Sequence, residues 1–68
     1  MLFGDMMKQA RLDAGLTVYQ TAKRSLISQT QVSRYETGGA RPPLDRLEKL
    51  CRLYELDFEH VAEEWGFE

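Results

Sequence analysis

The 68-residue sequence has little cysteine, histidine or proline and no long apolar run. Its single cysteine, Cys51, excludes an internal disulfide and a cysteine-rich metal site, and is typical of a reducing compartment. His60 has no second metal ligand at a suitable spacing, so we expect neither a metal nor a cofactor. No stretch approaches the roughly 20 apolar residues of a membrane helix, and the first residues lack the pattern of a signal peptide. We therefore expect a cytoplasmic protein.

The arrangements typical of catalysis are missing as well. The sequence has no nucleophile–base arrangement and no phosphate-binding glycine loop, so we expect a protein that is not an enzyme. No strand-like alternation of apolar and polar residues competes with helical spacing, which predicts an all-α fold. Hydrophobic residues make up 43% of the chain, enough for one small core, and residues 1–68 are expected to form a single domain.

The charge is unevenly distributed along the chain, although the net charge is only −2. From Lys8 to Arg41 there are six basic and two acidic residues, whereas from Pro42 to Glu68 there are three basic and eight acidic ones. A basic first half can turn a positive surface toward nucleic acid, and an acidic second half limits non-specific adhesion. Two ordinary solvated faces are the alternative interpretation of the same pattern.

Apolar spacing predicts five helices. Gly15 is a candidate C-terminal cap, Thr17, Ser28 and Asp57 are candidate N-caps, and the Gly- and Pro-containing segment 37–43 breaks the pattern. The predicted helices are about Gly4–Ala14, Val18–Arg24, Gln29–Glu36, a fourth with Leu44, Leu47, Leu50, Cys51 and Tyr54 on one side, and a fifth with Phe58, Val61, Ala62 and Trp65 on one side.

The two short helices are the informative feature, because only Ser25, Leu26 and Ile27 separate them. Helices this short are marginal alone, so they must pack on each other and on longer helices. Ala22 is small enough for the crossing point, and Ile27 and Val32 can fill the space between the helices. This packing leaves an outward polar side on the second short helix, formed by Ser28, Gln29, Thr30, Gln31, Ser33 and Arg34. Such side chains suit base edges in a major groove.

From Phe3 to about Trp65 the chain resembles the phage-repressor and Cro-like (XRE-type) helix-turn-helix family. The matching residues are Phe3, Gly4, Asp5, Arg11, Gly15, Leu16, Thr17, Ala22, Ile27, Ser28, Val32, Ser33, Tyr35, Glu36, Gly38, Pro42, Leu44, Leu47, Leu50 and Leu53. The resemblance implies a compact five-helix, lambda-repressor-like DNA-binding domain, with a positioning helix at 18–24 and a recognition helix at 28–36.

The resemblance also implies roles for individual residues. It places base contacts at Gln29, Thr30 and Arg34, and an internal ion pair between Arg11 and Glu36. Phosphate contacts are implied near Ser28, Gln31, Ser33 and Arg41, the last of which is equally consistent with simple loop exposure.

Two positions depart from the family pattern. Leu26 stands where the family has a turn glycine, and a left-handed conformation costs about 1 kcal/mol or more outside glycine. The sequence therefore leaves two conformations open for this turn, the left-handed one and another shape. Val18 stands where many members carry a glutamine that contacts phosphate, so that contact is expected to be lost, or supplied by Tyr19 or Gln20.

The aromatic C-terminal end has two interpretations. Phe58, Val61, Ala62, Trp65 and Phe67 either close the core or form an exposed patch that mediates a homodimer. A dimer predicts a palindromic or pseudo-palindromic operator, with half-sites about 34 Å apart.

The leading hypothesis is a DNA-binding transcriptional regulator, expected to be a repressor of phage or mobile-element type because 68 residues leave no room for a sensor domain. The alternative is a protein-interaction module with the same fold, such as an antitoxin-like or adaptor subunit, favoured by the acidic second half and Leu26. RNA binding is disfavoured because only Tyr19 and Tyr35 offer stacking aromatics near the basic half, and Tyr35 is expected to be buried.

Overall fold

The computed structural model describes residues 2–66, with side chains described through residue 63. The helices in this range are α1 (Phe3–Asp13), α2 (Val18–Ser25), α3 (Gln29–Thr37), α4 (Leu44–Tyr54) and α5 (Phe58–Gly66). The expected all-α, five-helix architecture is confirmed, and the first three helices begin and end within one residue of the expected positions. No helix in the described range combines the length and apolar character needed to cross a bilayer.

The end of α1 is a hydrogen-bonded turn built on Gly15. Gly15 has a φ of 74°, in the left-handed region that glycine enters without steric cost. Its amide donates to the Leu12 carbonyl at 2.9 Å, and the Leu16 amide donates to the Arg11 carbonyl at 3.1 Å. This is the Schellman pattern of helix ends. The turn returns Leu16 to the core, and α2 begins directly after Thr17.

One apolar core receives side chains from all five helices. α3 packs against α1 and α2, while α4 packs against α1, α2 and α5. This packing stabilises α2 and α3, because helices of eight and nine residues are marginal alone. The buried apolar residues are Phe3, Met7, Ala10, Leu16, Ala22, Ile27, Val32, Tyr35, Leu47, Leu50, Cys51, Tyr54 and Val61.

One member of the expected apolar stripe of α4 does not join this core. Leu44 is 50% exposed. It is the first residue of α4 and follows the exposed Pro43, so its side chain lies at the edge of the core. The stripe that packs inward therefore starts at Leu47.

The face of α2 that meets the core is small and partly polar. Thr21, Ala22 and Ser25 are buried, and the Ser25 hydroxyl donates to the Thr21 carbonyl at 2.7 Å. The Thr21 hydroxyl is fully buried and lies against the Tyr54 side chain of α4. Because Ala22 is the one apolar residue among the buried residues of α2, apolar burial anchors α2 less strongly than it anchors α4.

The helices α1 and α3 approach each other closely at Gly4. A Cβ atom at this position would lie 2.5 Å from the Glu36 carbonyl oxygen and 3.0 Å from the Tyr35 carbonyl oxygen. These are backbone atoms inside a helix, which cannot move aside without shifting the helix. Glycine therefore sets the distance between the start of α1 and the C-terminal half of α3.

The fifth helix packs on α4 through its apolar side. Val61 is 2% exposed, Phe58 packs partly buried against the core, and Ala62 is half-buried. Phe58 and Val61 thus pack on the core of their own chain. This agrees with the interpretation that the apolar residues of this segment close the core. The Trp65 side chain and Phe67 lie outside the described part of the chain, and the dimer surface stays a prediction.

Candidate nucleic-acid interface

One side of α3 packs against the other helices. The Ser28 hydroxyl caps the helix by accepting a hydrogen bond from the Gln31 amide at 3.1 Å. Val32 and Tyr35 are buried, and the Tyr35 hydroxyl accepts a hydrogen bond from Arg46 at 3.0 Å. These contacts fix the axis of α3 and leave its opposite side at the surface.

This outward side of α3 carries the residues expected to contact bases. Neither Gln29 nor Thr30 makes a side-chain hydrogen bond with any described residue, so both are available to a ligand. Gln31, expected to contact phosphate, is half-buried. The exposed residues on this side are Ser28, Gln29, Thr30, Ser33, Arg34 and Thr37.

The Arg34 side chain lies along the C-terminal end of α3. Gly38, with a φ of 85°, ends the helix and turns the following loop back toward Arg34. A terminal guanidinium nitrogen of Arg34 donates to the Gly39 carbonyl at 3.3 Å. This exposed hydrogen bond uses one of the five N–H donors of the guanidinium. The other donors remain able to face a base edge.

The turn between α2 and α3 is left-handed at Leu26, with φ 60° and ψ 30°. Of the two conformations that the sequence left open, the turn has the left-handed one despite the leucine. Ala22 and Ile27 on either side of the turn are buried, whereas the Leu26 side chain is 87% exposed. Packing of the neighbouring residues thus outweighs about 1–2 kcal/mol of local strain at Leu26.

The start of α2 is fixed by a capping box. The Thr17 hydroxyl accepts from the Gln20 amide at 3.0 Å, and the Gln20 side-chain oxygen accepts from the Thr17 amide at 2.9 Å. Gln20 therefore has only its side-chain N–H groups left for an external acceptor such as a phosphate. Tyr19 is 55% exposed, and the Lys23 ammonium lies 5.5 Å from the centre of its ring.

A buried ion pair joins α1 to α3 beneath the interface. Arg11 donates to both carboxylate oxygens of Glu36, from Nε at 2.8 Å and Nη2 at 3.2 Å, and Nη1 donates to the Leu16 carbonyl at 2.7 Å. The hydrogen bond to Glu36 raises the pKa of Arg11 above its ordinary value. Because both charges are satisfied internally, the pair orients α3 and adds no net charge to the surface.

Comparison with known proteins agrees with this geometry. Residues 2–65 match the family described as a helix-turn-helix domain. The chain belongs to the helix-turn-helix family. It is also 30% identical, over 60 residues that make up 88% of the chain, to the uncharacterized HTH-type transcriptional regulator YobD of Bacillus subtilis (strain 168). The chain spans about half of that relative, 54% of its length.

Membership of the helix-turn-helix family confirms the resemblance inferred from the sequence and the expectation that the chain is not an enzyme. In DNA-binding helix-turn-helix proteins the second helix of the motif is the recognition helix, and the first crosses the DNA backbone. In this chain α3 and α2 hold those two places in the motif.

The third helix, α3, lies in the basic part of the molecule. It packs on α1 and α2, whereas the acidic α5 packs on α4. Of the two acidic residues between positions 8 and 41, Glu36 is paired with Arg11, and Asp13 accepts a hydrogen bond from Gln9 at 2.9 Å. The exposed basic residues of this part are Lys8, Lys23, Arg24, Arg34 and Arg41.

A groove of about 560 Å³ runs between α1 and α3 at the start of α2. Its lining includes Lys8 and Thr37, which sequence reasoning did not place in the interface. The spacing contains a signal for both, because Lys8 precedes Arg11 by one helical turn and Thr37 follows Ser33 by one turn. The groove is lined by Asp5, Lys8, Arg11, Val18, Ser33, Glu36 and Thr37.

Proposed function

We propose that the chain is a sequence-specific transcriptional regulator that inserts α3 into the major groove of double-stranded DNA. The proposal rests on the exposed outward side of α3, held in place by the buried Val32 and Tyr35. A major groove about 12 Å wide admits an α-helix. Within it, Gln29 is suited to adenine, Arg34 to guanine, and Thr30 to either base or to a thymine methyl group.

Around these base contacts we propose a ring of phosphate contacts that sets the register of α3 without reading sequence. Side-chain hydroxyl groups supply some of these phosphate contacts. The side-chain N–H groups of Gln20, which its capping box does not use, supply another. Arg41, exposed in the loop after α3, supplies a charged contact. The proposed phosphate-contacting residues are Tyr19, Gln20, Ser28, Gln31, Ser33 and Arg41.

We further propose that residues 1–68 act as one cytoplasmic domain that binds a palindromic operator as a homodimer. One recognition helix contacts only a few base pairs, so a second copy supplies the contact area that specific binding needs. The proposed regulatory effect is repression, of the kind found in phages and mobile elements, because occupation of an operator by itself excludes other proteins from overlapping DNA.

Selection of bound duplexes from a random library tests the DNA-binding proposal. The wild-type protein is expected to enrich one motif and to show an affinity that falls steeply with salt. Arg34→Ala should weaken binding by about 1–3 kcal/mol and relax the preference at one base pair. The matched control is Arg52→Ala, because Arg52 is an exposed arginine on α4 whose hydrogen bond goes to Glu48. Equal motifs and affinities for the two variants would remove Arg34 from the interface.

The second candidate function is a protein-interaction module, such as an antitoxin-like or adaptor subunit. The observation that favours it is the 87% exposure of Leu26, an apolar side chain in the turn between α2 and α3. This candidate predicts that no DNA motif is enriched, and that Leu26→Ser weakens association with a protein partner while leaving the fold unchanged.

A further inference from the structure

The groove between α1 and α3 lies where the positioning helix starts, and no polar side chain of α2 lines it. Val18, the first residue of α2, is half-buried, and its side chain has no hydrogen-bonding group. Across the groove, α3 contributes the hydroxyl groups of Ser33 and Thr37. The Thr37 hydroxyl donates to the Arg34 carbonyl at 3.4 Å, so its proton is already engaged. The donors in the groove must therefore come mainly from elsewhere.

The charges in the groove single out Lys8. Arg11 also lines it, but all three of its donating nitrogens are committed to Glu36 and Leu16. The Lys8 ammonium forms no hydrogen bond or ion pair with any residue that the structure describes. Asp5 adds a carboxylate one turn earlier on α1. Lys8 is thus the cation among the lining residues whose charge is not neutralised by a direct contact.

We propose that Lys8 binds a phosphate of the DNA strand that passes over the start of α2 when α3 occupies the major groove. This inference rests on the proposed DNA-binding function. A backbone strand borders the major groove on each side, and the groove of the protein flanks the outward side of α3 at Ser33. A lysine ammonium on its flexible four-carbon stem is suited to such a point contact. Lys8 then adds a phosphate contact from α1, at a place where the Val18 side chain offers none.

Salt titration of DNA binding distinguishes this role from a structural one. Each neutralised phosphate contributes about −0.9 to the slope of log K against log salt. Lys8→Ala should therefore make the negative slope shallower by about 0.9, so that its affinity deficit is about three- to fourfold larger at 50 mM than at 200 mM salt. Lys8→Arg should restore the slope. Asp5→Asn should raise affinity, since it removes the opposing charge.

The control is Lys49→Ala, because Lys49 is an exposed lysine on α4, outside the groove. It should leave the slope unchanged. The same enriched motif is expected for the wild type and for Lys8→Ala, since a phosphate contact carries no sequence information. If Lys8→Ala and the wild type show equal slopes while both bind DNA specifically, the proposed role of Lys8 is wrong and the proposed function still stands. A changed motif also overturns that role, by making Lys8 a base contact. Absence of specific binding by the wild type overturns the proposed function and this inference together.

Discussion

The left-handed leucine at the helix-turn-helix turn has a measurable cost. Leu26 sits at φ 60°, where a residue with a Cβ atom loses about 1–2 kcal/mol. Its side chain is 87% exposed, so truncation removes little buried area. Glycine relieves this strain, but it also gives the unfolded chain greater conformational freedom, which lowers the free energy of unfolding by about 0.5–1 kcal/mol. We therefore expect Leu26→Gly to stabilise the fold by about 0.5–1 kcal/mol.

Thermal and urea unfolding, followed by circular dichroism, measure this gain. It corresponds to a rise in Tm of roughly 2–8 °C for a domain of this size. Leu26→Ala keeps the Cβ atom and the strain, and should match the wild type. Leu12→Gly is the matched control, because Leu12 is an exposed leucine within α1, where glycine should destabilise by at least about 0.7 kcal/mol. If Leu26→Gly were no more stable than Leu26→Ala, strain at this turn would not be the reason.

Three other perturbations follow from the packing and the buried groups. Arg11→Ala should destabilise the fold by about 3 kcal/mol, because it leaves the buried Glu36 carboxylate without its partner. Arg11→Met combined with Glu36→Leu should recover most of the lost free energy of unfolding, measured by denaturant titration. Gly4→Ala should cost about 1–3 kcal/mol, because its Cβ meets the Glu36 carbonyl oxygen, and an unchanged Tm would contradict the close approach. Burial raises the pKa of the Cys51 thiol from 9.0 to about 11, so the unfolded state loses this proton first and stability should fall from about pH 9 to pH 11. The fall should be shallower in Cys51→Ala, and parallel pH profiles would refute the assignment.

Much of the fold was predictable because its signals are local. Gly15, Thr17 and Ser28 mark helix ends through conformational freedom or side-chain caps, and the structure places α1, α2 and α3 within one residue of the expected positions. Leu44 shows the limit of such reasoning. Helical spacing tells which side of α4 is apolar, but not how far along the helix other elements cover it.

The candidate interface was predictable for the residues on α3 and less so for their surroundings. Val32 and Tyr35 mark the inner side of α3, which determines by helical geometry that Gln29 and Thr30 face outward. Lys8 lies far from them in sequence, and only the packing of α1 against α3 brings it to the same groove.

By itself the sequence determined the number of helices, the helix ends at Gly15, Thr17 and Ser28, and which side of each helix is apolar, since these depend on residues within a turn or two of each other. The tertiary structure decided the left-handed turn at Leu26, the commitment of Gln20 to its cap and the groove beside Lys8. The reason is energetic. Contacts between distant segments, such as the buried Ile27 and the Arg11–Glu36 pair, outweigh local preferences of about 1–2 kcal/mol.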